Sequence, residues 1–124
     1  MENIKYKKYL NITETKKDHL IDLIGPILAY EEDLLFSFKC EKAQIFFTNK
    51  RVILMDYNDN TGNSLDITSI FYSRFTLFRL QTTDRFKTDN ILKASIGNSL
   101  ELDFSFTQTE SLLQISELIA AHMK

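Results

Sequence analysis

Leu34-Leu35-Phe36-Ser37-Phe38-Lys39, Ala43-Gln44-Ile45-Phe46-Phe47, Thr48-Asn49-Lys50-Arg51 and Val52-Ile53-Leu54-Met55-Asp56 are the segments that decide the fold. Three short runs rich in Phe, Ile, Leu and Val are split by compact polar breaks. Runs of this length and composition read as strands, and the breaks as turns. Leu34, Phe36 and Phe38 share a face by the period of two. Asn49-Lys50 suits a tight hairpin, because Asn tolerates positive φ. The segment 51–57 is apolar on both faces, so it needs covering on both sides.

Working outward, four more strands follow, at about 65–71, 75–81, 91–96 and 100–106. In the last, Leu100, Leu102, Phe104 and Phe106 alternate with Glu101, Asp103 and Ser105, the pattern of a sheet with one wet face. Polar stretches at 58–63 and 82–90 read as loops, and Gly97-Asn98 as a turn. Thr107-Gln108-Thr109-Glu110 has the form of a capping box. Leu112, Ile115, Ile119 and Met123 then form an apolar helical stripe that must be covered. On the N-terminal side, residues 1–13 read as a flexible, lysine-bearing start and 14–24 as an amphipathic helix. Leu20, Ile21, Leu23 and Ile24 lie on its apolar side. Gly25-Pro26 ends or kinks it, and Pro26 can open a short further turn to about Ala29.

The chain of 124 residues fits one domain, and a domain of this size buries roughly two-thirds of its unfolded surface without staples. Ten Phe and five Tyr supply bulk, while three Gly and one Pro argue against linkers. Fifteen Lys and Arg face seventeen Asp and Glu. Nucleic-acid binding needs a basic excess to neutralise phosphates, so no nucleic-acid partner is expected. A single cysteine, Cys40, cannot close an internal disulfide, which points to a reducing, cytoplasmic setting. Residues 1–19 lack the apolar core of a secretory signal, and no run approaches the roughly 20 apolar residues of a membrane span.

The order of seven antiparallel strands and one C-terminal helix is that of pleckstrin-homology-like (PH-like) domains. Glu31 to Lys39, Ile45-Phe46-Phe47-Thr48-Asn49-Lys50-Arg51-Val52-Ile53-Leu54, Thr61-Gly62, Ser69-Ile70-Phe71-Tyr72 and the terminal helix resemble the bacterial PH-like family, formerly a domain of unknown function. The resemblance covers about residues 26–123. Four places depart from it: Phe71 replaces a usual Pro, Asn63-Ser64 a Lys-Lys pair, Asp84 a usual Gly, and Lys87 an acidic residue. The resemblance implies a mainly β (α+β) fold, a bent seven-stranded antiparallel barrel or sandwich capped by the C-terminal helix. An N-terminal segment and helix over 1–30 precede the PH-like domain at 31–124. It also implies no enzymatic activity, and homo-oligomers, often ring-like, formed through strand edges and the N-terminal extension. With no phosphate-cradling glycine loop or two-Cys cluster in the sequence, no cofactor is expected.

Each chemical candidate has a plain structural reading beside it. Lys39, Lys42, Lys50 and Arg51 lie near the first two hairpins, where eukaryotic relatives grip phosphorylated headgroups. A phosphate site needs several donors converging on one pocket. Glu41 interrupts them and Glu31, Glu32 and Asp33 lie upstream, so solvated hairpin ends, or Arg51 pairing with an acidic neighbour across a subunit contact, are the other readings. Asp56, Asn58, Asn60 and Gly62 imitate the start of a calcium loop, but the glycine comes one place late and Ile67 replaces the closing Glu. Cys40 lacks a neighbouring base, and His19 and His122 lack metal-ligand spacing, so no catalytic or metal site is expected. One small barrel has only one inside, so part of the aromatic surface must be hidden by the N-terminal segment or another copy. Phe46, Phe71, Tyr72, Leu20 and Ile24 are the expected oligomer contacts. The leading expectation is a non-catalytic module that self-associates and presents a protein- or ligand-binding surface. The alternative is a peripheral module binding anionic lipid headgroups.

Overall fold

The structure, a computed structural model, describes residues 5–16, 21–58, 64–82, 90–107 and 111–123, with backbone only for Ile21 and Asp22. Eight strands occur among them: β1 (Lys5–Thr15), β2 (Leu34–Cys40), β3 (Ala43–Thr48), β4 (Arg51–Tyr57), β5 (Leu65–Phe71), β6 (Leu77–Thr82), β7 (Asn90–Ile96) and β8 (Leu100–Phe106). Helix α1 (Ile21–Ile24) runs into a 3-10 turn at Gly25–Ile27, a second 3-10 turn spans Tyr72–Arg74, and α2 (Leu112–His122) ends the described chain. The strands read from sequence at 43–48, 51–57, 65–71 and 100–106 stand at those bounds. Two expectations are corrected. Eight strands stand among the described residues, because the lysine-bearing start is strand β1, which runs on to Thr15 into the segment expected as helix. Of that N-terminal helical extension the described part is α1 (Ile21–Ile24), and residues 17–20 lie outside the described residues.

The backbone divides into two compact units, Glu14–Phe71 and Met1–Thr13 with Tyr72–Lys124. In the first, β2 to β5 form an antiparallel meander. β3 pairs β4 from Ala43↔Asp56 to Phe47↔Val52, and β4 pairs β5 from Arg51↔Phe71 to Tyr57↔Leu65. A register shift between Leu34 and Phe36 breaks the alternation of β2: Leu34 faces Thr48 and Phe36 faces Phe47. Neighbouring residues of β3 point to opposite faces, so Leu34 and Phe36 part company, against the shared face expected for them. Leu34 joins Phe46, Ile53, Met55 and Ile24 in one buried cluster, with Ile27 and Leu28 packed on it. The short helix and its 3-10 turn therefore cover one face of the meander. On the other face, Phe38 and Phe47 meet edge to face, with ring centroids 5.8 Å apart.

In the second unit β1 runs parallel to β8, from Lys5↔Leu100 to Tyr9↔Phe104, and then slips one place to Ile12↔Phe106. Asn11, at φ 55, sits in that slip. The slip lets Tyr9 and Ile12 both be buried although three residues apart, so β1 carries no clean period of two. β8 pairs β7, and β7 pairs β6, both antiparallel. Leu92, Ala94, Leu102, Phe104 and Phe106 are buried, and the Tyr9 and Phe104 rings stack at 5.5 Å. Leu112, Ile115 and Ile119 form the buried face of α2. Its N-cap is Ser111, four residues beyond the cap expected at Thr107; residues 108–110 of the capping box lie outside the described residues. At the far end the His122 ring stands 5.7 Å from that of Tyr72.

Candidate functional site

The densest polar arrangement in the described residues lies in the meander, at the β3–β4 hairpin. Glu32 is at its centre, its side chain fully shielded from solvent. Arg51, the first residue of β4, donates to it twice, Nε to Oε2 at 2.9 Å and Nη2 to Oε1 at 2.9 Å. Thr48, the last residue of β3, donates its hydroxyl to Oε2 at 2.6 Å. The Ala29 amide donates to Oε1 at 2.8 Å. The carboxylate thus accepts four hydrogen bonds, two per oxygen, in the bidentate fork geometry that makes Arg pairs specific.

The same motif fastens the chain on both sides of Glu32. Arg51 Nη2 also reaches the Ile27 carbonyl at 2.9 Å, and Nη1 the Ser69 hydroxyl of β5 at 3.0 Å. The guanidinium carbon lies 5.7 Å from the centre of the Phe71 ring, within cation-π range. Asn49 Oδ1 accepts from the Asp33 amide at 2.9 Å, and its Nδ2 donates to the Glu31 carbonyl at 3.2 Å. Lys50 Nζ donates to the Tyr30 carbonyl at 3.2 Å. Glu31 takes φ 60, a left-handed conformation that non-glycine residues rarely adopt. Every member of Thr48-Asn49-Lys50-Arg51 therefore holds the segment 27–33, and that segment carries Ile27 and Leu28 onto the apolar face.

Burial by itself would raise the proton affinity of Glu32. The hydrogen bonds from Arg51, Ala29 and Thr48, with the Arg51 charge, outweigh it and hold the carboxyl below its ordinary value of 4.5. A low-affinity carboxylate with both oxygens occupied is a poor general base; its role is to position. The lowered value fixes the sign of a pH effect. The unfolded chain binds the proton more readily, so the site adds stability above about pH 4.5, and that contribution is lost as pH falls through the native value. Thermal unfolding between about pH 3 and pH 6 should show a steeper acid loss of Tm in the parent than in Glu32→Gln. Equal slopes would remove Glu32 as the titrating group.

The four expected cations do not converge. Lys50 and Arg51 stand at one end of β3, while Lys39 and Lys42 flank the β2–β3 turn at the other and are exposed. The six residues of β3 separate them by about 20 Å at strand rise, too far for one phosphate. Among the oligomer contacts expected from sequence, Phe46, Tyr72 and Ile24 are fully buried within the chain and present no surface to another copy. Phe71 is half exposed, and Leu20 lies outside the described residues. Residues 59–63 of the calcium-like loop and His19 also lie outside them. Cys40 is a free, half-buried thiol. His122 Nδ1 lies 2.9 Å from the Leu118 carbonyl. Among the described residues no three His, Cys, Asp or Glu side chains gather as a metal site.

A hairpin whose Thr-Asn-Lys-Arg turn holds the segment 27–33, in a mainly β chain closed by a helix, can be compared with known families. The bacterial PH domain model matches residues 3–123. The chain belongs to the bacterial PH domain family. The match reaches back through β1, further than the resemblance read from residue 26 onward. YjqA of Bacillus subtilis strain 168 is 33% identical over 100 residues, covering 79% of this chain and 80% of that protein. Among solved structures, a DUF1696-family protein with a pleckstrin-homology domain from Shewanella loihica PV-4 superposes with a TM-score of 0.72 at 27% identity. It covers 93% of this chain and 99% of that one. A pleckstrin-homology domain from Shewanella amazonensis SB2B gives a TM-score of 0.63 at 28% identity, covering 90% and 91%. In this bacterial PH domain the residue that sequence reasoning missed is Glu32. Its signal was an acidic residue two places before the apolar run of β2, flanked by Glu31 and Asp33 and read only as charge opposed to a phosphate site. No helix among the described residues is long and apolar enough to cross a membrane.

Proposed function

We propose that this bacterial PH domain is a non-catalytic binding and scaffold module of the cytoplasm that self-associates through the open edge of β5. One observation carries the reading. β5 pairs only with β4 among the described residues. On the face it shares with Arg51, Ile53 and Met55, it leaves Leu65, Ile67 and Phe71 exposed, Ile67 at 47% and Phe71 at 48%. An unpaired edge with outward apolar side chains is a template for another strand, main-chain bonds giving affinity and side chains giving register. The Glu32–Arg51 pair borders this surface, with the Arg51 guanidinium carbon 5.7 Å from the centre of the Phe71 ring, and it holds the covering segment. The half-buried single thiol is in keeping with a reducing compartment.

The test is the solution mass of the whole chain at tens of micromolar by sedimentation velocity. The expected parent species is an oligomer, and Leu65→Lys/Ile67→Lys, which puts two charges on the exposed face of β5, should give a monomer with an unchanged far-UV spectrum. A parent that is monomeric, at low salt as well, would count against the reading. Sedimentation with anionic vesicles separates it from headgroup binding, which falls as salt rises.

A further inference from the structure

The outward face of the β1–β8–β7–β6 sheet carries a row of charges that the fold does not use. In register across the four strands stand Lys8, Asp103, Lys93 and Arg79. Residues directly opposite in a sheet share a face, and strand spacing puts the row within about 15 Å. It holds three cations and one carboxylate in a chain whose formal net charge is −2. Lys93 and Arg79 are direct cross-strand partners, and like charges directly opposite are unfavourable. None of Lys8, Lys93 and Arg79 makes an ion pair among the described residues. The Asp103 Oδ1 atom is buried and accepts no hydrogen bond among the described residues, and Asp103 stands between Lys8 and Lys93 as the countercharge of the row.

Two further features say what would cover this row. β6 is the last strand of the sheet and pairs only with β7 among the described residues, so its outer edge can accept a strand. Two residues before Arg79 on the same face of β6 is Leu77, 53% exposed. A strand added along β6 would set one side chain beside Arg79, extending the row by one place, and another beside Leu77. The first position selects a carboxylate, which relieves the Lys93–Arg79 repulsion. The second selects an apolar side chain. We infer that the β6 edge binds an extended acidic segment of another protein, with an Asp or Glu two residues from an apolar side chain, seated against Arg79 and Leu77. This deepens the binding-module reading at a different edge. Self-association at β5 is read by sedimentation and the segment by anisotropy, so either can fail without the other.

The probe is a fluorescein-labelled peptide of alternating Thr and Val with a central Leu-Thr-Asp, beside the same peptide with Lys for Asp. Titration of the full chain at low and high salt should show saturable binding of the Asp peptide, weakened by salt, and weak binding of the Lys peptide. Arg79→Glu, on an exposed side chain, should weaken the Asp peptide by about tenfold or more and strengthen the Lys peptide, since direct charge pairs of this kind set specificity. Leu77→Ser should weaken the Asp peptide without exchanging the preference. Equal binding of both peptides, no binding of either, or an Arg79→Glu chain that keeps the parent preference would overturn the inference. So would an oligomer that dissociates on Arg79→Glu, which would make a second copy the occupant of the edge. Anionic vesicles that bind through Arg79 while the peptide does not would overturn it in favour of a membrane surface.

Discussion

Arg51→Met should lower the unfolding free energy by about 3–5 kcal/mol, the cost of leaving a buried carboxylate without its partner. Glu32 is fully shielded, and two of its four hydrogen bonds come from Arg51. The substitution also releases the Ile27 carbonyl and the Ser69 hydroxyl. Urea denaturation measures the loss. Glu32→Leu combined with Arg51→Met should recover most of it, because replacing both members of a buried pair by apolar groups removes the unpaired charge. Arg51→Lys should not, since an ammonium cannot span both carboxylate oxygens and the Ile27 carbonyl as the planar fork does. Hydrogen exchange adds a local readout: the Ala29 amide, bonded to Glu32 Oε1, should exchange much faster in Arg51→Met. Single substitutions whose costs simply add in the double variant would mean that the two residues act independently.

Phe46→Ala should cost about 3–5 kcal/mol, the range for truncating a buried aromatic ring. Phe46 is fully buried in one cluster with Ile24, Leu34, Ile53 and Met55, against which Ile27 and Leu28 pack, and its removal opens a cavity there. Its effect should differ in kind from that of Arg51→Met. Phe46→Ala keeps the ion pair and so the acid-side loss of stability, while Arg51→Met abolishes that loss. Chemical unfolding at neutral and acid pH separates the two. A loss under about 1 kcal/mol would mean that the segment collapses to fill the space, since the cost of such cavities depends on how well the site closes.

Leu34 and Phe36 show where local reading failed. Their spacing of two puts them on one face only if the strand is regular, and the register shift lies between them. Tyr9 and Ile12 show the converse. Two buried residues three apart hide a strand from any test of period two, because the shift at Asn11 realigns them. The pairing of β1 with β8 joins segments about ninety residues apart in the chain, and nothing local encodes it. By contrast 43–48, 51–57 and 100–106 were legible because runs of alternating or all-apolar β-branched and aromatic residues have no other stable use at that length.

The candidate site divides the same way. The segment Thr48-Asn49-Lys50-Arg51 was visible as a distinctive hairpin, and its Asn as a turn former. What those side chains hold was not visible, because Glu32 comes sixteen residues before Thr48 and is brought back only by the β2–β3 pairing. By itself the sequence determined the strands of the meander, the apolar stripe of the last helix, and a charge balance poor in phosphate-binding excess; these follow from short-range periodicity and composition. Only the tertiary structure decided that the lysine-bearing start is a strand and that Arg51 is committed to Glu32. It also placed Lys39 and Lys42 about 20 Å from Lys50 at strand rise, and Lys8, Lys93 and Arg79 in one row. Each of these depends on which strands become neighbours and in what register, and long-range pairing sets that where local periodicity cannot.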